Sequence, residues 1–343
     1  MVGLTVLGAI NWDISIFVEN FARAGEEVVV SRVEEFSGGK GGNVAVASAR
    51  ILGKKRVAFV GALGEDKIAH EQVSELKREG VVTDFIEFVE GMSGRAYIIV
   101  DAKGKKEIHT FFGANSRLSV EHIKKQKIKD SLTKSDIIVI MDVPGKVALA
   151  VSDLARKKGI KFVYSPGIMV NRGVSFVKSV AKGSEFIVLD RLELLNLYRS
   201  ENAEECIRRV GEDFDSVVVT LGGEGCSLIR AGKEVTVSGY NPEVFDGRVV
   251  NTTGCGDAFL GVLSSYLALG YGVIESLKLA NLAGAIKATR METRGSPTRE
   301  ELESIYTKLE GLTTNQRKRQ KSISSSQYPQ HPSEGQPLRE REG

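Results

Sequence analysis

Cysteine is scarce. The 343 residues contain three, Cys206, Cys226 and Cys255, odd in number and far apart in the chain. Such spacing makes neither a disulfide framework nor a zinc site, and it points to a reducing compartment, the cytoplasm. The four histidines (His70, His109, His122, His331) are isolated, so none has a second ligand at helical or strand spacing. No apolar run reaches the length of a membrane span, and no membrane partner is expected. Met1 to Gly8 carries no basic segment ahead of its apolar residues and reads as a first strand rather than a secretion leader. Excess charge is missing as well. The net charge of +3 is carried by residues 313–343, where Arg317, Lys318, Arg319, Lys321, Arg339 and Arg341 outnumber Glu334, Glu340 and Glu342. The body is neutral, which excludes nucleic acid as its main partner.

What is present divides at the same place. Five of the seven glutamines and three of the seven prolines follow residue 312, with serines at 322 and 324–326. That stretch has little to bury and is expected to be a disordered, solvated tail at 313–343. Residues 1–312 form the folded domain. Within it, β-branched apolar runs at 4–10, 57–63, 137–141, 161–164, 186–189 and 217–221 alternate with helical patterns at 43–52, 68–79, 147–158 and 203–212. Strands apolar throughout are buried on both faces, and strand alternating with helix predicts a mainly parallel sheet covered on both sides, a three-layer α/β sandwich. Helical patterns follow at 258–269 and 274–289, and Pro297 opens a final helix. Residues 12–36 and 92–113 break the rhythm with strict alternation, and Asp101-Ala102-Lys103-Gly104-Lys105 joins two strands into a hairpin. These segments predict a small β-sheet standing off the body as a lid.

Three segments carry chemistry. In Asn251-Thr252-Thr253-Gly254-Cys255-Gly256-Asp257, a glycine-rich turn opens a long helix. Unpaired amides at a helix N-terminus cradle an anion, and Asp257 puts a base beside it. Phosphoryl transfer to a hydroxyl needs that pairing. In Ser37-Gly38-Gly39-Lys40-Gly41-Gly42-Asn43, four glycines admit a ligand close to the backbone, while Lys40 and Asn43 offer donors. It is not a P-loop, since no Ser or Thr follows the lysine. In Gly8-Ala9-Ile10-Asn11-Trp12-Asp13, at the end of the first strand, Asn11 and Asp13 are two apart and suited to grip neighbouring hydroxyls of a polyol. The same run begins no Gly-x-Gly-x-x-Gly, which removes a dinucleotide-dependent dehydrogenase.

Together the three segments resemble the ribokinase family of sugar and nucleoside kinases, which has Asn-x-Asp after strand one, Gly-Gly-Lys-Gly-x-Asn opening a helix, and a late Asp-Thr-x-Gly-x-Gly-Asp. Val60 to Asp66, Gly113-Ala114-Asn115, Thr220 to Gly225, Ala280-Asn281, Thr289-Arg290 and Ser296-Pro297-Thr298 extend the likeness in the expected order over about residues 3–310. The resemblance implies a sugar kinase moving the terminal phosphoryl of ATP to a hydroxymethyl, ribose being favoured by Gly-Gly-Lys-Gly-x-Asn and Gly113-Ala114-Asn115. Asp257 would be the base, with Gly254, Cys255 and Gly256 as the anion hole. Asn11, Asp13, Gly39, Lys40, Asn43 and Asp142 would hold the sugar. Asp190, Thr220, Gly222, Gly225 and Asn281 would border the nucleotide. Mg²⁺ would ride on the phosphates near Glu193, and a homodimer would form through the lids. Alternatives are a kinase of a sugar phosphate or nucleoside, ADP as donor, or a non-catalytic sugar- or nucleotide-binding regulator. A phosphorylated substrate would need a cation in the cleft, for which Arg95 and Arg23 are the candidates.

The chain departs from the family pattern at three places. Asn251 stands where an Asp usually assists a monovalent-cation (K⁺) site. Asp190 stands where an Asn precedes the glutamate. Met291-Glu292-Thr293-Arg294 lies between Thr289-Arg290 and Gly295 in place of a single residue.

Overall fold

The computed structural model describes residues 3–311; the tail assigned to 313–343 lies outside the described residues. The chain divides into a unit of residues 1–302, which holds both sheets, and a second unit of 303–343, whose described residues 303–311 are helical. The strands in chain order are β1 (Leu4–Leu7), β2 (Asn11–Val18), β3 (Val30–Gly38), β4 (Val57–Leu63), β5 (Val82–Phe88), β6 (Gly94–Val100), β7 (Lys106–Phe111), β8 (Ile137–Met141), β9 (Lys161–Ser165), β10 (Phe186–Asp190), β11 (Ser216–Thr220), β12 (Gly225–Arg230) and β13 (Lys233–Ser238).

Nine of them form one sheet in the order β13-β12-β11-β10-β9-β8-β1-β4-β5. From β5 to β11 all neighbours are parallel, and β12 and β13 continue it antiparallel. Every residue of β1, β4 and β8 is buried, as apolar runs covered on both faces require. Leu7, Val60, Ile138 and Ile140 join one core with Val147 and Val151 of helix Gly145–Lys158. Alternate residues Val6, Phe59 and Val139, equally buried, point the other way. On that side the helices Lys40–Leu52, Cys255–Ala268 and Val273–Ala288 pack on one another. This is the α/β sandwich the alternation predicts.

The chain leaves β1 for β4 and β5 on one side, and builds β8 to β11 on the other. The crevice at the C-terminal ends of β1 and β8 is therefore a topological switch point, where open α/β sheets bind ligands. The first strand stops at Leu7 rather than running to residue 10. Gly8, Ala9 and Ile10 step out of the sheet, the Ile10 amide is held at 2.9 Å by the Asn115 side chain, and β2 then starts a second sheet.

That sheet has the order β3-β2-β6-β7, close to the segments whose alternation set them apart. Its hairpin turns at Asp101, whose Oδ1 accepts from the amides of Lys103 and Lys105 at 2.9 and 2.8 Å, an Asx turn. Alternation along β2 and β6 puts Asn11, Asp13, Gly94 and Ala96 on one face. Trp12 and Arg95 share the other.

Candidate active site

The helix Cys255–Ala268 begins at Gly254, which sits at φ 85° with no side-chain cap. A Cβ there would lie 2.3 Å from the Thr293 carbonyl oxygen, so only glycine fits. The first-turn amides of a helix have no acceptor within it. Cys255 has only a long bond to the Thr252 carbonyl, 3.3 Å, and Gly256 is exposed, with open space where a side chain would be. Asp257 follows, and its Oδ2 accepts from the Asn43 amide at 2.7 Å. Burial among protein atoms raises its pKa to about 6, against the lowering effect of Asn43 and Lys40. Ionising it there costs about 3 kcal/mol more than in water, which brings a carboxylate into the range of a general base.

The second helix start faces the first. Gly39, at φ 82°, precedes the helix Lys40–Leu52, and a Cβ on it would meet the Asn11 amide nitrogen at 2.3 Å. The Gly41 amide bonds the Ala9 carbonyl at 2.9 Å. The helix thus opens at Lys40, three residues ahead of the expected start, pressed against the end of β1. Lys40 Nζ lies 3.2 Å from Glu193 Oε1 and 3.6 Å from Asp142 Oδ2. Burial works against its charge, but Asp142, Glu193 and Asp257 outweigh it and raise its pKa. Glu193 is itself pushed up by burial, with Lys40 opposing. Asp142, at the end of β8, adopts φ 43°, and its Oδ1 accepts from the Ile168 amide at 3.3 Å.

Asn11 and Asp13 lie on the inward face of β2, 8% and 4% exposed. Asn11 Oδ1 accepts from the Asn115 amide at 2.9 Å, and its carbonyl from Gln72 Nε2 at 2.5 Å. Burial raises Asp13 to a pKa of about 7; Arg294 opposes this and Asp257 adds to it. Arg294, 5% exposed, is a residue of the cleft that the motifs do not disclose. Its Nη2 donates to the Gly38 carbonyl at 2.9 Å and to Gln72 Oε1 at 2.7 Å, and its Nε to Asn43 Oδ1 at 3.3 Å. Nη1 lies 3.2 Å from Glu75. One guanidinium therefore braces the backbone beside Asp13 and the amide that touches Asp257. Arg294 lies in the segment that departs from the family pattern, and Gln72 lies on a stripe of the helix Lys67–Arg78 buried with Ala69 and Leu76.

Two cavities meet here. The smaller, about 80 Å³, is lined by Lys40, Asp190, Glu193, Thr220, Gly256 and Asp257. The larger, about 290 Å³, is mostly apolar and includes Thr220, Gly222, Gly225, Cys255, Gly256 and Asn281. Thr220 and Gly256 line both, so the two cavities are neighbours. Asn281 is fixed by bonds to the Val237 and Ser238 carbonyls at 3.0 and 3.1 Å. Asp190 caps the helix Arg191–Tyr198, with its side chain accepting from the Glu193 amide at 2.7 Å. Among the described residues, no three acidic, histidine or cysteine side chains converge to hold a metal ion. Arg95 stands on the face of β6 away from Asn11 and Asp13, the place of a lid charge. Asn251 donates its amide nitrogen to the Met291 carbonyl at 2.7 Å.

Residues 1–299 match the pfkB family of carbohydrate kinases. The chain is 30% identical to ribokinase from Haemophilus influenzae over 305 residues, covering 87% of this chain and 96% of that protein. It is 26% identical to an ATP-dependent ribose-1-phosphate kinase from Halopiger xanaduensis, covering 87% and 96%. The crystal structure of ribokinase from Thermotoga maritima superposes with a TM-score of 0.76 at 25% identity, over 90% of this chain and all of that one (100%). The sandwich, its companion sheet and these likenesses agree: the chain belongs to the pfkB family of carbohydrate kinases, phosphotransferases acting on a sugar hydroxyl.

Proposed function

We propose that the protein phosphorylates a hydroxymethyl of a free pentose, ribose in the first instance, with ATP as donor. The observation that carries this reading is a small cavity walled by Asp257, Gly256 and Lys40, which shares Thr220 and Gly256 with the larger apolar one. A nucleotide in the larger cavity, against Gly222, Gly225 and Asn281, would direct its phosphates past Thr220 into the smaller. Asn11, Asp13 and Asn43, with the backbone at Gly39, would hold the sugar so that its hydroxymethyl meets Asp257. Asp257 takes the hydroxyl proton, a contribution of about 10²–10⁴-fold. The amides of Gly254, Cys255 and Gly256 and the Lys40 ammonium stabilise charge on the phosphoryl group in flight. The acids present suit a magnesium ion carried by the nucleotide rather than by a protein cage, with Glu193 and Asp190 nearest. That ion supplies neutralisation of the phosphate charge. The smaller sheet, whose inward face carries Asn11 and Asp13, would act as the lid that excludes water. Three free cysteines, two of them buried, accord with a cytoplasmic setting.

A phosphorylated sugar is the second reading, supported by the name of the Halopiger relative. The outward face of Arg95 counts against it. The test is turnover of a panel containing ribose, ribose 1-phosphate, ribose 5-phosphate, hexoses and nucleosides, each with ATP and with ADP. The highest kcat/KM is expected for ribose with ATP. A preference for ribose 1-phosphate would establish the second reading, and turnover confined to nucleosides would overturn both.

A further inference from the structure

One strong charge takes no part in the scheme above. Lys287, in the last turn of the helix Val273–Ala288, is wholly buried, in a run of small and apolar residues, Leu282-Ala283-Gly284-Ala285-Ile286. Its Nζ donates to the carbonyl oxygens of Asn251 at 2.8 Å and Arg290 at 3.1 Å. Both flank the anion-hole turn. Asn251 lies three residues before Gly254, and the loop after Arg290 brings Thr293 against Gly254. The amides of Val250 and Asn251 add bonds to the Ala288 carbonyl at 2.8 and 3.1 Å. A second ammonium, Lys106 of β7, reaches Asn251 Oδ1 at 2.9 Å and Thr253 Oγ1 at 2.7 Å. Burial pulls the Lys287 pKa below the ordinary lysine value, while Cys255, Glu292 and Asp257 oppose the shift.

Potassium does not fit this place while Lys287 fills it. The family's acid is replaced by Asn251, a neutral side chain whose nitrogen donates to the Met291 carbonyl and whose oxygen accepts from Lys106 and from the Thr253 amide. The carbonyls of residues 251 and 290 are already taken by an ammonium. An isolated buried ammonium is costly unless its protons are matched by acceptors, and here the acceptors belong to the two loops whose relative position sets the anion hole.

We propose that the Lys287 ammonium is a tethered monovalent cation. It fastens the 251–254 turn to the 290–293 loop and makes the kinase independent of added potassium. It is a positioning residue, acting through the amides of Gly254, Cys255 and Gly256. The inference therefore rests on the anion-hole reading above.

The experiment compares KCl with equal tetramethylammonium chloride in potassium-free buffer, using the full chain. Wild-type kcat is expected to change less than about twofold between the two salts. Lys287→Ala opens space for an ion, so its kcat should fall about tenfold or more in tetramethylammonium and recover in KCl, with KM for the sugar moved far less. Lys287→Met fills the space without charge and should lose kcat in both salts. Thermal unfolding gives a readout free of turnover. Potassium should raise the Tm of Lys287→Ala and leave that of wild type and Lys287→Met unmoved, because only the first can bind the ion. A wild-type rate or Tm that climbs steeply with potassium overturns the proposal, as does Lys287→Met at full kcat. Asp257→Asn, assayed alongside, separates the two readings. If it retains full turnover the anion-hole reading itself fails; if it is inactive while wild type needs potassium, only the tethered cation fails.

Discussion

The two helix starts that meet in the cleft are built alike and used differently. Each is preceded by a glycine at φ above 80° with no side-chain cap. The helices pack closely enough that Ser48 bonds the Gly261 carbonyl at 3.2 Å. At Gly39 to Asn43 the backbone is spent on packing: the Gly41 amide goes to Ala9, and side chains do the reaching. At Gly254 to Asp257 the Cys255 amide makes only a long bond, to the Thr252 carbonyl at 3.3 Å, and the side chains are few. Under the proposed function the first start would hold its ligands chiefly with side chains and the second would stabilise charge with the main chain. A hydrogen bond from Asn43 to Asp257, at 2.7 Å, joins them.

The sharpest way to break that comparison is Asp257→Asn. An asparagine can still accept from Asn43, so the cleft should keep its shape while the base is lost. The expected result is a kcat lowered about 10²–10⁴-fold, with sugar affinity by calorimetry within about threefold of wild type. Near-normal kcat would remove Asp257 as the base. Next come the two glycines. Gly254→Ala must displace the turn from Thr293, and losing anion-hole geometry should lower kcat about 10²-fold. Gly39→Ala must push on the Asn11 backbone, and should raise the sugar KM about tenfold with a smaller effect on kcat. Both positions also carry a backbone cost of about 1–3 kcal/mol for an alanine at positive φ, so thermal unfolding should be measured first. Steady-state kinetics giving the same kcat-to-KM pattern for both variants would erase the distinction between the two starts.

Much of this was legible because the informative residues are contiguous. Runs such as 57–63 and 137–141 coincide with β4 and β8, since a strand covered on both faces must be apolar throughout. The Asp101 hairpin was readable from its turn chemistry. The strands at the two ends of the sheet were not: β5, and β13 with its neighbour β12, carry charges such as Asp84, Arg230, Lys233 and Glu234 on exposed positions, which dilute any period. The partnerships of Arg294 with Gly38 and of Lys287 with Asn251 span 256 and 36 positions, and no local pattern encodes them. The sequence did mark the residues themselves, as a charge in an unusual loop segment and a lysine inside an apolar helix. Arg95 shows the opposite failure: residue type suggested the cleft, but register with Trp12 decides the face.

Acid sensitivity sharpens the comparison most finely, because side chains titrate and amides do not. Asp13 and Asp257 have pKa values raised to about 7 and about 6, and under the proposed function both would work as carboxylates, Asp13 accepting from sugar hydroxyls and Asp257 from the reacting one. Activity is therefore full above both values and is lost as pH falls. For the free enzyme, kcat/KM should decline below about pH 7 and steepen toward two protons per molecule below about pH 6. The Asp257 carboxylate helps to raise Asp13, so the upper step depends on both groups. Asp13→Asn removes that upper step, and the acid limb should move to about pH 6, with a single-proton slope. Gly254→Ala, which alters only the main-chain side, should lower the whole profile and leave its midpoint within about 0.3 pH units of wild type. An acid limb that stays put in Asp13→Asn, or that shifts in Gly254→Ala, would mean that Asp13 and Asp257 are not the groups whose protonation limits activity.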